Sequence, residues 1–294
     1  MSDALEQVQR LLDELLTAAR SGAIIPVRLP GQIEAIQEAL KQANLDTAAS
    51  PVPEAPPADS FDKEAFLKDQ AGFFGHSIHE LRTPMTSVRG YTDMMIGMGG
   101  LSDMQKQFME VVRTNARRME SLMQDVADMN KLRAGTLKMS PKMDMFKNIA
   151  GMTEKAMQPT ADQLQRKLTF DIPAGLPLLN LDGEILARAL NKLVENGLRY
   201  HEGENGECVI SAAADGNTLI ITVKDNGIGI TSEDMEKLGS VYFRSENELV
   251  RSYKGSGLGV PIAMGIVTAM DGEIKFQSEP AQGTTATIRL KGMS

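Results

Sequence analysis

The sequence predicts a multidomain α and α+β architecture: a helical hairpin that pairs with a second copy into a four-helix bundle, then an α/β sandwich of about 150 residues. Three observations predict it. Apolar residues step by three or four along two stretches between 61 and 134. A Pro- and Ala-rich stretch sets those helices off from what precedes them. Beyond residue 137, strand-like runs alternate with helical ones.

In chain order, residues 4–20 place Val8, Leu11, Leu12, Leu15, Leu16 and Ala19 on one helical face, and a second amphipathic stretch carries Ile33, Ile36, Ala39 and Leu40. Residues 1–48 therefore read as a helical region that packs or flanks a dimer, with a ligand-binding module as the alternative. Residues 49–60, with ASPVPEAPPADS, read as a linker. In 61–136 the first seam runs Leu67, Gln70, Phe74, Ile78, Leu81, Met85, Val88, Thr92 and Met95. GMGGLS breaks it, and a second seam runs Phe108, Val112, Asn115, Met119, Leu122, Val126 and Met129 in heptad steps. One hairpin cannot bury both seams, whereas two hairpins about a twofold axis can, so a homodimer is expected. In 137–294, KLTFDI, CVISAAA, TLIITVKD, EIKFQS and TTATIRL read as strands, with helices at 144–164, 182–200 and 257–271. DGNT at 215–218 signals a hairpin.

Composition narrows the function. A net charge of −8 disfavours a nucleic-acid partner. The single cysteine, Cys208, excludes an internal disulfide framework, fits a reducing cytoplasm and reads as a buried strand residue. No targeting signal shows in residues 1–16, and the longest apolar window, 259–270, is too short to span a bilayer. A cytoplasmic protein without direct membrane insertion is expected.

Two of the three histidines sit in HSIHELRTPMT, residues 76–86. His79 falls on a polar stripe with Gly75, Arg82, Thr83, Thr86 and Gly90, off the apolar seam of Ile78 and Leu81. Neutral imidazole is a competent nucleophile near physiological pH. Glu80 beside it can hold or accept a ring proton, and Thr83, one turn on, can orient a water. Pro84 cannot donate to the carbonyl of Glu80, so the helix should bend or loosen there. Taken alone, the segment also admits an ordinary surface histidine. FGHSIHELRTPMT, however, resembles the phosphoacceptor box of bacterial sensor histidine kinases. The resemblance implies that His79 is phosphorylated, that Glu80 is its acid/base, and that Glu80 with Thr83 serves phosphatase activity. His76 matches no catalytic position.

Three further motifs carry the same resemblance. RALNKLVENGLRYH (188–201) resembles the family's asparagine box, implying Asn196 as a ligand for Mg²⁺ on ATP, with Arg199 on phosphate and Tyr200 against adenine. DNGIGI (225–230) follows a strand, so Asp225 can accept from the adenine amino group while Gly227 and Gly229 allow close backbone approach. GSGLGV (255–260), with Gly255, Gly257, Leu258 and Gly259, opens a helix whose free N–H groups suit phosphate. GTTATI, containing Thr284, resembles the closing strand motif. The implied fold is the Bergerat-type sandwich shared with gyrase, MutL and Hsp90; no P-loop motif occurs. Residues 231–254 read as a lid anchored by Phe243, whose Arg244, Arg251 and Lys254 either meet the γ-phosphate or stay solvated.

The match departs at Lys192, where the family usually has a second asparagine; Asn191 lies one place earlier, rotated about 100° on a helix. ATP-hydrolysing relatives carry a glutamate there, and a protonated lysine cannot act as that base. The expected function is a sensor histidine kinase that phosphorylates His79 and passes the group to an aspartate on a response-regulator receiver domain. Its signal would arrive through an upstream sensor protein or residues 1–48. The alternatives are a degenerate kinase acting in phosphotransfer without ATP, and a gyrase- or Hsp90-type ATPase clamp.

Overall fold

The computed structural model describes residues 63–253 and 255–293; within its first helix, the side chains of 63–71, 73, 74, 76 and 79 are outside that description. The expectations for residues 1–48, for the linker at 49–60 and for Lys254 fall outside the described residues. None of the described helices is long and apolar enough to cross a membrane.

Helices α1 (Lys63–Met98) and α2 (Asp103–Arg133) form the hairpin. Gly99 and Gly100 both take positive φ in the connection, and Ser102 caps α2 through a reciprocal capping box with Gln105. The two helices are tied by Arg89 to Glu120 at 2.7 Å and by Arg82 to the Gln124 side chain at 2.9 Å. α1 runs through Pro84 without interruption, so the proline does not divide the helix. Ile78 and Thr92 are buried, yet Leu81, Val88, Met95, Phe108 and Met119 of the two seams are exposed in one chain. The apolar stripe is thus only half covered by its own hairpin.

Beyond the hairpin come β1 (Lys142–Asp144), α3 (Phe146–Leu164), β2 (Lys167–Asp171), β3 (Leu179–Leu181), α4 (Gly183–Arg199), β4 (Glu207–Asp215) and β5 (Thr218–Asp225). Then follow α5 (Ser232–Lys237), α6 (Glu248–Ser252), α7 (Gly259–Ala269), β6 (Glu273–Ser278) and β7 (Thr284–Lys291). The main sheet has the order β2-β4-β5-β7-β6, parallel at β2–β4 and antiparallel elsewhere. β1 and β3, three residues each, pair separately and are too short for a period-2 signal to announce them.

Alternation sets the layers. Cys208, Ile210 and Ala212, then Leu219, Ile221 and Val223, then Ala286, Ile288 and Leu290 are buried, with intermediate or exposed residues between them. Register aligns these rows, Ile210 opposite Val223 and Ile221 opposite Ile288. Their face packs on α3, α4 and α7 through Phe146, Ile149, Leu186, Leu190, Leu198, Ile262 and Ile266. Each such side chain contributes about 1.5–3 kcal/mol of burial. Cys208 is fully buried, as expected, and burial pushes its thiol up to about 12. Its role is packing.

Candidate active site

α4 carries one face of the site. Asp182 caps it by accepting from Ile185 N at 3.1 Å. Nine residues from Ile185 to Leu198 are buried, leaving Arg188, Lys192, Glu195, Asn196 and Arg199 as a stripe along the opposite side. A cavity of about 830 Å³ lies against Lys192, Glu195, Asn196 and Arg199. The β5 end adds Asp225 and Gly229, the lid adds Phe243 and Arg244, and the α7 entry adds Gly255, Gly257 and Gly259. Tyr200 and Thr284 also line it. Motifs far apart in sequence are thereby brought to one cavity.

The Asp225 carboxylate is held at one oxygen. Its Oδ1 accepts from Gly227 N at 2.8 Å and Thr284 N at 3.1 Å, while Oδ2 has no hydrogen-bond partner among the described residues. Burial raises the pKa of this carboxyl, and the two amides partly oppose the rise. The loop after it is pinned on both sides: Ile228 N donates to Tyr200 O at 2.9 Å, and Ile230 N donates to Ser278 Oγ at 2.9 Å. Gly227 and Gly283 fill places where a Cβ would lie 2.2 Å from Tyr200 O and 2.0 Å from Asp225 O. Gly227 and Leu258 are set back from the cavity; Leu258 is a buried core residue rather than a lining one.

The lid corrects one expectation. Arg244 is not presented to the cavity as a free cation: its guanidinium donates to the carbonyls of Gly255, Val250 and Tyr253, closing the lid on itself. The Tyr253 ring meets Tyr200 edge to face at 6.0 Å, linking the lid to the end of α4. Arg199 is paired with Glu195 at 2.7 Å and Arg251 with Glu246 at 3.1 Å, so each cation already has a carboxylate.

Sequence reasoning missed the share of the site built by the hairpin. Thr114, Arg117, Arg118, Ser121, Leu122 and Asp125 of α2 form a wall of the same cavity. α2 docks on the sandwich through Val126, Met129 and Leu132, and through two ion pairs. Asp128 receives both bonds from Arg188 Nη1, at 2.8 and 2.9 Å, and Asp125 meets Lys192 at 2.6 Å. The available signal was spacing: acids three apart on one helix face bases four apart on the other. On α1, the segment with His79 and Glu80 is helical, and Thr83 is exposed.

This donor set bears on Mg²⁺. Asn191 does not line the cavity, and its buried Oδ1 has no hydrogen-bond partner. Its expected rotation off the site holds. Lys192 fills the position instead, and no group of three or more His, Cys, Asp or Glu suited to a metal occurs among the described residues. The residues do not fit a divalent ion held by two protein amides; of the two asparagines of that motif, Asn196 alone lines the cavity.

Comparison with known proteins agrees with the two-part fold. Residues 69–135 match the His Kinase A (phospho-acceptor) domain, and 181–293 match the histidine kinase-, DNA gyrase B- and HSP90-like ATPase family. An uncharacterized sensor-like histidine kinase of Rhizobium meliloti is 26% identical over 215 residues, covering 72% of this chain and 41% of that protein. The histidine protein kinase DivJ of Caulobacter vibrioides is 28% identical over 231 residues, covering 78% and 38%. The chain thus spans about two fifths of the length of these curated relatives. Among solved structures, full-length ShkA in complex with AMPPNP shares the fold at a TM-score of 0.62 and 21% identity, over 76% of this chain and 46% of that one. With both domain models matched in this order on a phosphoacceptor helix and a Bergerat-type sandwich, the chain belongs to the two-component sensor histidine kinases.

Proposed function

We propose that this chain is an ATP-dependent protein-histidine kinase working as a homodimer. ATP occupies the cavity beside α4, with its adenine amino group donating to Asp225 and its phosphates toward Asn196 and the N-terminus of α7. A nitrogen of His79 attacks the γ-phosphorus in line; the N–P bond forms as the bond to the bridging oxygen breaks, and ADP leaves. Glu80 takes up the ring proton. The phosphoryl group then passes to an aspartate of a response-regulator receiver domain. Catalysis is chiefly positioning and charge neutralisation. The exposed halves of the two bundle seams support the dimer, since a second hairpin buries them.

The observation that carries the reading is the single cavity on which Asn196, Asp225 and the glycines of 255–259 converge, on a chain that also bears the His79 box. The test is incubation with γ-labelled ATP, wild type beside His79→Gln, followed by acid and alkali treatment. Acid-labile, alkali-stable label on wild type alone is expected. Label of equal stability on both proteins sinks the assignment of His79, and steady ATP hydrolysis without phosphoprotein selects the clamp. ATP binding that is absent while His79 still accepts phosphate from a partner selects the degenerate kinase.

The same reading gives Thr83 a separate role, one turn from His79 on an exposed face. Thr83→Ala is expected to leave autophosphorylation near wild type and to slow dephosphorylation of the regulator by roughly 10²-fold, the scale of a misplaced water. Equal losses in both assays remove that role.

A further inference from the structure

Lys192 and Asp125 form a nearly buried ion pair at the cavity wall, with side chains 15% and 9% exposed. Their location is unusual. Lys192 and Asn196 lie one turn apart on α4, and both flank the entry to α7: the position of a Cβ on Gly259 lies 3.8 Å from Lys192 Cβ and 3.9 Å from Asn196 Nδ2. A phosphate received by the N–H groups of that turn therefore sits beside the stem of Lys192. Asp125 comes from the other side, on the hairpin helix α2.

We propose that Lys192 is a phosphate-binding residue held in reserve by Asp125, and that nucleotide binding exchanges this ion pair for a phosphate contact and releases α2 from the sandwich. The proposal rests on the reading that the cavity takes ATP. It follows from charge and burial. A triphosphate offers the ammonium several negative oxygens where Asp125 offers one carboxylate. Once Lys192 turns away, Asp125 is a nearly buried carboxylate without its partner, a strongly unfavourable state that hydration relieves. Burial already raises the pKa of this carboxyl despite Lys192, which shows how much the site leans on the pair. Asp125 also faces the cavity, but bound nucleotide fills that side, so the route left to hydrate it is for α2 to part from α4.

The consequence reaches the phosphoacceptor helix. Arg188 of α4 donates to Asp128, Gln124 donates to Asp128 Oδ1 at 2.8 Å, and Arg82 of α1 donates to Gln124 Oε1 at 2.9 Å. Arg82 lies three residues past His79. Parting α2 from α4 thus removes one anchor of the segment that carries His79. Linkage makes the effect reciprocal: docked α2 weakens nucleotide binding by the factor with which nucleotide weakens docking.

The experiment measures ATP affinity of the full chain, by displacement of a fluorescent ATP analogue, for wild type, Asp125→Asn, Lys192→Met and the double variant. In parallel, spin labels on cysteines at the exposed positions Lys131 of α2 and Lys155 of α3 report the α2–sandwich distance. Asp125→Asn, which frees the ammonium, is expected to bind ATP about tenfold tighter, and Lys192→Met about tenfold weaker. The double variant should match Lys192→Met, because Asp125 acts through Lys192; it also removes both charges together, so it folds without an orphaned carboxylate. ATP should lengthen the labelled distance in wild type and leave it unchanged in either single variant. Wild-type affinity in Asp125→Asn, or an ATP-independent distance in wild type, overturns the exchange while the kinase reading stands. A wild-type chain that binds no ATP at all overturns both.

Discussion

Gly283→Ala is expected to cost about 3 kcal/mol and to lower the melting temperature of the sandwich by roughly 6–12 °C. Gly283 has φ +81, in the left-handed region, where an L side chain costs about 1–2 kcal/mol. Space adds a comparable part. A Cβ there lies 2.0 Å from Asp225 O, 2.7 Å from Asp225 C and 2.8 Å from Asn226 Cα, all main-chain atoms that cannot rotate away. Relief must come from separating the β6–β7 turn from the end of β5. That separation pulls Thr284 N off Asp225 Oδ1 and strains the Ser278 Oγ bond to Gly283 O, now 2.7 Å. Gly216→Ala is the control: its φ is +59, yet a Cβ there meets nothing within 4 Å. It should lose only the conformational part. Melting curves of the two variants decide the matter, and equal melting points exclude the steric account.

The two glycines also show what a sequence makes legible. Gly216 sits in DGNT between alternating strands, a local pattern whose hairpin is read directly, and the register does pair Asp215 with Thr218. Gly283 is constrained by a residue nearly sixty positions away, and no local pattern reports that. The same division runs through the site. The strands of the main sheet, the three long helices of the sandwich and the lining role of Asn196, Asp225 and Thr284 follow from periodicity and motif. Arg244 was read by charge alone, and charge does not say that its guanidinium is taken up by the carbonyls of Val250 and Tyr253 in its own lid and of Gly255 just beyond it. Likewise Asp125 and Asp128 look like ordinary polar positions beside a heptad seam. Their partners lie on a helix more than fifty residues on, and only the docked geometry joins them. Lys192 was legible as an anomaly and illegible as half of an ion pair.

Asp225→Asn is expected to separate binding from stability. In the folded chain, Oδ1 is committed to the amides of Gly227 and Thr284, so an asparagine placed there keeps its carbonyl oxygen on those two donors. Its NH₂ group then takes the place of Oδ2 and meets the adenine amino group donor to donor. The lost bond to a charged acceptor is worth about 1.5–3 kcal/mol, so ATP binding should weaken by roughly 10- to 150-fold. A guanine nucleotide offers a carbonyl oxygen at that position and should gain relative to ATP. Stability moves the other way. Burial raises the folded-state pKa of Asp225 above its ordinary value, so the ionised form is less tolerated in the fold than in the unfolded chain. Below the ordinary carboxylate pKa both states are protonated and the penalty is absent. It grows as pH rises from the ordinary carboxylate pKa through the raised folded pKa and is complete above it. The neutral amide has no such penalty, so Asp225→Asn should melt at or above the wild-type temperature at pH 7, with the difference vanishing in acid. Calorimetric titration with ATP and GTP, beside melts at pH 7 and pH 3.5, reads both effects. An asparagine variant that keeps wild-type ATP affinity removes Asp225 from the adenine contact, and one that melts lower at neutral pH shows that the carboxylate stabilises the loop it closes.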